Sequence, residues 1–562
     1  MKRSTNLAAS VAITLALICG GAVTGRLLHP GGARPAEAAN LVAQPVGPLT
    51  PSVVGSGFTY QGRLLNNGVP VSGSYDFTFR LFSQPSGGVP LSGPISVTTV
   101  ITAGLFTTSL DFGAPAFDGE ARFMEVAARQ SGGGAYTTLS PRQPIASVPY
   151  ALYALKARGQ KNVVTVAKEG GDHATVTAAL AAITDNSPFS RYVIRVAPGV
   201  YTETVTMKEY VDIEGSGERN TTIAQVGSAL ANTGTVVGTN NAQLRSLTVR
   251  NTGGNTNAIA VYNNGASPSL AQVTASASGG SNLSSGVYSV GFSASAMTNV
   301  TVNASGGGNN WGIRNEDSSP TLSNVTVTTS GSAGSFNYAV LNQDSSPTLS
   351  NVTISSLGGQ YSIGMGNINS SPTLGNVRII ASGGSSASWG VQNSSSSPSM
   401  SNMTINVSGP GDNLGVLIED SSSPTLSSVT VSVSGGTTNV GVENNAASPT
   451  LTNVTISASG SGANYGVRNS NSSSRIQGSA VSASGGSINM GVFNTATTGS
   501  HTVKIDNSKI TGSSNSIFNG AQFTTRVGAS QLEGGPVVPG GGTVSCAGVY
   551  DENYVFFAST CP

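Results

Sequence analysis

The chain has 562 residues, with 26 Lys plus Arg against 25 Asp plus Glu and a formal net charge of +1. Only 9% of residues are charged, where an ordinary soluble domain carries about 25%; no basic field exists to hold a polyanion, which argues against nucleic acid as a partner. The 73 Gly and 26 Pro fall short of the ~25–30% that marks low-complexity disorder, so solubility rests on Ser, Thr and Asn.

Met1, Lys2 and Arg3 precede an apolar run from Leu7 to Gly25, the order of a charged n-region and a hydrophobic h-region. Ala36-Glu37-Ala38 offers a small-residue cleavage signal, but the 19-residue run could also span a bilayer. Residues 1–39 are therefore a signal peptide or an N-terminal membrane anchor, and the expected location is extracellular, secreted or at the cell surface. Residues 40–55 have the Pro, Val and Ser content of an extended linker.

From Phe58 the texture becomes short alternating runs, FTYQGRL, YDFTFRLF, GLFTTSLDFG and ARFMEVAAR, with turn residues between them. Alternation with turns about every 10 residues predicts an antiparallel β module over 56–157. Its FTYQGRL opening and SPRQP..PYALYA ending resemble a small β domain found near the N-termini of exported bacterial proteins. That resemblance implies presentation or attachment and no chemistry.

Residues 158–520 are expected to form one solenoid. KNVVTVAKEGGDHATVTAALAAI gives a strand, a glycine turn and an apolar helix near Ala174 to Ile183, followed by RYVIRVAPGVYTETVTM and YVDIEGSGERNTTI. This order resembles the opening segment of pectinesterases and other right-handed parallel β-helices of the pectin-lyase-like superfamily. A cap helix has a physical reason there, since the first coil would otherwise expose apolar core and unpaired strand edges.

The strongest signal is the repeat of S-P-T-L-S-N-V-T-V, with Pro268, Pro320, Pro347, Pro372, Pro398, Pro424 and Pro449 spaced by 52, 27, 25, 26, 26 and 25 residues. A degenerate copy at Ser295 fills the double gap. A second phrase, G-V-x-N, keeps the same beat at Asn263, Asn315, Asn342, Asn367, Asn393, Asn444, Asn469 and Asn494, with Ser289 and Ile418 at its two missing steps. Three β-prone runs in ~26 residues are too few for a self-sufficient domain but suit one coil of a parallel β-helix. Ile313, Leu322, Val325 and Val327 are expected to point inward. Asn324 and its counterparts Asn299, Asn351, Asn376, Asn402 and Asn453 are expected at tight corners, because Asn tolerates the left-handed conformation. The predicted fold is all-β: a right-handed parallel β-helix of ~26-residue coils behind a small antiparallel domain.

Beyond the leader the only cysteines are Cys546 and Cys561. In an oxidising compartment they should pair and staple a C-terminal cap over 521–562.

Pectin-lyase-like enzymes work on the outer face of one parallel sheet. If Ile313 points in, strand alternation sends Gly312 and Arg314 out. The outward row would then include Tyr262, Tyr288, Arg314, Gln392, Glu443 and Arg468, a possible ligand face. Pectinesterase chemistry needs a carboxylate nucleophile, a second carboxylate and oxyanion donors; the Q-A-V-A-type and D-F-I-F-G-type runs that supply them in that family do not occur in this sequence. Glu443 and Arg468, one coil apart, read as a surface ion pair. Glu316, Asp317, Asp344, Glu419 and Asp420 read as solvated turn acids rather than calcium ligands, and a Thr row from Thr301 to Thr455 as a flat hydroxyl face. No catalytic residue, metal or cofactor is assigned. The sequence favours an exported, non-catalytic surface protein whose partner is a polysaccharide or cell-surface component; the alternative is a pectinesterase-like or lyase-like carbohydrate-active enzyme.

Overall fold

A computed structural model of the chain describes residues 57–113, 116, 121–145, 162–227 and 232–562. The leader, the linker and the PYALYA stretch lie outside the described residues. The chain divides into two compact units, Met1–Gln160 and Lys161–Pro562.

In the first unit, Ser92–Ile101, Gly73–Phe82, Arg122–Gln130 and Thr137–Ile145 form an antiparallel sheet in that spatial order, and Phe58–Arg63 pairs with Leu105–Leu110. Alternation in YDFTFRLF buries Phe77, Phe79 and Leu81 completely. The Phe77 and Phe106 rings stack at 4.3 Å, and Met124 and Val126 complete the core. The Asn67-Gly68 turn has φ of 51° and 81° at its two residues, as a tight hairpin requires.

The second unit is the parallel β-helix that the repeat predicts, and every coil passes through three strand positions. In one coil these are Asn309–Glu316, Thr321–Ser323 and Thr326–Gly331. The first position builds a 14-stranded parallel sheet; at ~4.8 Å per strand it extends about 65 Å. Residues pair coil to coil without slippage, as in Leu322 with Leu349 and Val327 with Ile354. The interior is filled by stacked aliphatic rows that include Ile313, Leu322, Val325 and Val327, each 1% exposed or less.

The helix Val176–Ala182 closes the N-terminal end, burying Val176, Ala179 and Leu180. It is shorter than its apolar run because Ile183 is already extended. Thr175 Oγ1 accepts the Ala178 amide at 3.2 Å, and Glu203 accepts the amides of Val176 and Thr177 at 2.9 and 2.8 Å; together they occupy donors that a helix start leaves free. At the other end, parallel pairing continues past residue 521 to Thr543–Ala547, further than the repeat phrase indicates. An antiparallel pair, Val549–Tyr550 with Phe556–Phe557, ends the stack, and the Cys546–Cys561 disulfide staples it.

Polar side chains hold the corners. Asn299, Asn324, Asn351, Asn376, Asn402 and Asn453 all have φ of 53–56°, and neighbouring amides bond along the row, Asn324 Nδ2 to Asn299 Oδ1 at 3.1 Å and Asn376 Nδ2 to Asn351 Oδ1 at 3.2 Å. The two serines before Pro320, Pro347, Pro372, Pro398 and Pro424 run parallel ladders. The Ser345 amide donates to Ser370 Oγ and the Ser346 amide to Ser319 Oγ, both at 2.9 Å.

Candidate functional site

The asparagines of G-V-x-N face inward at the end of the long sheet. Asn315, Asn342, Asn367 and Asn393 form a buried amide chain with 2.9 Å bonds. Asn444, Asn469, Asn494 and Asn519 form a second, at 2.7, 2.7 and 3.0 Å. Asn519 belongs to the row although its coil has lost the repeat phrase. Another buried row, including Asn310, Asn337, Asn413, Asn439, Asn464 and Asn489, was missed by sequence reasoning; its signal is the N-x-G that precedes most of these valines. Asn310 clamps its own turn, accepting from the Gly307 amide at 2.8 Å and donating to the Gly307 carbonyl at 3.0 Å. Both rows are occupied with closing coils.

Simple alternation misplaces one position on this sheet. A Cβ on Gly312 would lie 2.3 Å from Val327 Cγ1 and 2.4 Å from the Ala339 carbonyl oxygen, so Gly312 faces the core, not solvent. Strand pairing skips it, joining Ser285 to Trp311 and Val287 to Ile313. Two consecutive residues therefore face inward, and the outward positions are Trp311 and Arg314. Glycine recurs at Gly286, Gly364, Gly390, Gly415, Gly441, Gly466 and Gly491, where a core side chain lies 2.1–2.6 Å from the place a Cβ would take, and Ala339 fills the same position in its coil. The row sequence reasoning missed is thus Trp311, Tyr338, Trp389 and Tyr465, recognisable as the aromatic immediately before G-I, G-V or A-V.

Tyr262, Tyr288, Arg314, Gln392, Glu443 and Arg468 all stand in the outward row expected of them, aligned by register. They do not form one cluster. Tyr262 and Tyr288 stack edge to face at 5.6 Å. The Arg314 guanidinium lies 3.8 Å from the Trp311 ring centroid and 4.8 Å from that of Tyr288; it pairs with Glu316, which also accepts the Tyr288 hydroxyl at 2.8 Å. Burial lowers the Arg314 pKa and raises those of Tyr262 and Tyr288.

Gln392 stands three coils beyond Arg314, and Glu443 and Arg468 follow it two and three coils later; Leu414, Leu417 and Val440, with Trp389 and Tyr465 packed on them, form an apolar cluster on the same strands. Glu443 is paired with Arg468, but at 5% exposure it is a buried acid and not half of a solvated surface pair. Burial pushes its pKa up, against the pull of Arg468, and the charge of Glu419 adds to the rise. Glu419 is itself raised by burial and by Asp420, with Gln392 drawing it back. Among the described residues, Trp389 Nε1 and Gln392 Oε1 have no hydrogen-bond partner.

The turn acids have a conformational role. Asp317, Asp344 and Asp420 hold φ of 47°, 51° and 55° at the corner after the long-sheet strand, where other coils place Asn369, Ser395, Ala446 and Asn471. Among the described residues no group of three or more His, Cys, Asp or Glu could hold a metal ion. The Thr row is interrupted by Arg378, which pairs with Thr353 and Thr404. No helix among the described residues is long and apolar enough to cross a membrane.

Fold and face together define a parallel β-helix protein with a row of aromatic side chains on the outer wall of its long sheet. A family profile described as a domain of unknown function (DUF8740) matches residues 59–142, within the antiparallel unit. Comparison with curated proteins finds no match. Among solved structures, the catalytic unit of a GH87 α-1,3-glucanase from Streptomyces thermodiastaticus is 13% identical, covering 90% of this chain and 88% of that one with a TM-score of 0.36. The A-module of the mannuronan C-5 epimerase AlgE6 from Azotobacter vinelandii is 14% identical over 67% and 94%, with a TM-score of 0.31. Pectin methylesterase PemA from Erwinia chrysanthemi is 13% identical over 44% and 80%, with a TM-score of 0.27. The β-helix itself stands on the strand register of this chain.

Proposed function

We propose that this is an exported, non-catalytic surface protein that binds polysaccharide along the outer face of its 14-stranded sheet. The observation that carries the reading is the outward aromatic row Trp311, Tyr338, Trp389 and Tyr465, extended by Phe336 stacked on Tyr361 at 4.9 Å and Phe493 on Phe518 at 5.3 Å. Pyranose C–H faces are apolar while their rims carry hydroxyls, so a wall that sets rings beside polar groups such as Gln392 and Glu316 matches both. A face repeated coil after coil makes weak contacts that add along one long chain. The antiparallel module is assigned to attachment or presentation.

The test is retention of the purified protein on insoluble polysaccharides and isolated cell walls. Wild type is expected to be retained, and Trp389→Ala with Tyr465→Ala to lose at least tenfold in retention with an unchanged circular dichroism spectrum. Failure of wild type to bind any glycan or wall preparation overturns the reading.

One observation favours the enzymatic alternative: Glu443 is a buried acid with a raised pKa on the face in question. Turnover of a polysaccharide by wild type, abolished in Glu443→Gln, would establish that alternative; a panel without turnover removes it.

A further inference from the structure

The charges on the long sheet narrow the ligand. Its strands carry two cations, Arg314 and Arg468, and four acids, Glu316, Asp412, Glu419 and Glu443. Both cations are committed, Arg314 to Glu316 and Arg468 to Glu443. Each also lies against aromatic rings, Arg314 on Trp311 and Tyr288, and Arg468 at 5.3 Å from Tyr465. Among the described residues, Asp412 and Glu419 have no ion-pair partner. The corner bordering the sheet adds exposed Asp317, Asp344 and Asp420, while the turns leading into its strands from 305 to 487 contribute neither Lys nor Arg. No lysine occurs anywhere between Lys208 and Lys504.

Recognition of a sugar carboxylate or sulfate needs a donor cation, best a free guanidinium fork. This face has none to give, and its uncompensated acids repel a polyanion laid along it. The ring positions set the geometry: Trp311, Trp389 and Tyr465 recur every third coil, about 14 Å apart at ~4.8 Å per strand. An extended pyranose chain along the coil axis would meet such a platform at intervals.

Building on the polysaccharide-binding reading above, we propose that the ligand class is a neutral glycan and that polyuronates and sulfated glycans are rejected. The experiment is retention of the purified protein at low and at 0.5 M-order salt on two sets of matrices. One set is neutral: cellulose, glucomannan, xylan and α- and β-glucans. The other is anionic: demethylated polygalacturonate, alginate and a sulfated galactan. Retention on at least one neutral matrix, changing less than twofold with salt, and none on the anionic set is the expected result.

Salt-sensitive retention on anionic matrices alone overturns the inference while leaving glycan binding intact. Retention on neither set overturns the binding reading and this inference with it. The double variant Asp412→Lys, Glu419→Lys supplies an independent check, because neither residue is in the core. It should gain at least tenfold retention on polygalacturonate at low salt; a variant that folds, as judged by circular dichroism, and gains none argues that charge does not govern the face.

Discussion

Asn393 and Asn444 face each other across Ile418, and each has one buried amide atom without a partner among the described residues. Asn393 lacks an acceptor for Nδ2, and Asn444 lacks a donor to Oδ1. These are the atoms that an asparagine at 418 would bond, since elsewhere each Nδ2 donates to the Oδ1 one coil on. Ile418 is paired between Asn393 and Asn444 by strand register, so one apolar residue divides what would otherwise be a continuous amide ladder.

Ile418→Asn is therefore expected to stabilise the protein. Each buried orphan costs about 1–3 kcal/mol, and the substitution removes two, against about 2–3 kcal/mol for the lost burial of isoleucine. A net gain of about 1 kcal/mol should appear as a higher denaturation midpoint in guanidinium. Ile418→Val, which leaves both orphans, should lower it by about 0.5–1.5 kcal/mol. If Ile418→Asn falls below Ile418→Val, the amide ladder is not a significant source of stability.

The corner asparagines make a second, separable prediction. Asn351 holds φ at 54° with its side chain exposed and bonded to Asn324 at 3.3 Å. Alanine there must adopt the left-handed conformation at a cost of about 1–2 kcal/mol, while glycine adopts it freely. Asn351→Ala is expected to destabilise more than Asn351→Gly in thermal unfolding. The reverse order would show that the left-handed backbone does not set the cost of substitution at this corner.

The C-terminal staple gives a third. Cys546 is 5% exposed and packs with Cys561 against the last of the core, with a sequence separation of 15 residues between them. In the chain-entropy model a loop of this size contributes about 3 kcal/mol. Cys546→Ser with Cys561→Ser, or reduction of wild type, should expose the end of the stack first, read as faster amide exchange at Thr543–Ala547 than at Thr348–Gly358. Equal exchange in both segments would mean that the disulfide does not hold the end closed.

Most of the coil was legible because each constraint is local and recurs. Pro at one offset, Val at another and Asn at the corner fix three strands and a bend without reference to the rest of the chain. The outer wall was harder to read, because its orientation turns on Gly312, where the close approach of Val327 breaks the alternation that places every other side chain. Trp311 and Tyr338 consequently went unread as a face while Arg314 was found. The burial of Glu443 was also invisible: the residue sits between Leu417 and Arg468 of the neighbouring coils, a relation that exists only when the coils stack.

That burial carries a pH dependence. Glu443 has its pKa raised from the ordinary 4.5, first by desolvation, with Glu419 adding to the rise and Arg468 opposing it. Glu419, beside Asp420 and Gln392, is raised as well. In the unfolded chain Glu443 loses its proton near 4.5, while the folded protein retains it to higher pH. Between those two values the folded state holds more protons than the unfolded state, so the contribution of this group to stability falls as pH rises through the window. Glu443→Gln keeps a neutral side chain at every pH and removes the effect, although it also frees Arg468 by a pH-independent amount. The difference in melting temperature, wild type minus Glu443→Gln, is therefore expected to decrease from pH 4.5 upward and then level. A difference that rises over the same range would show that the Arg468 partnership outweighs burial and that Glu443 is an ionised structural residue.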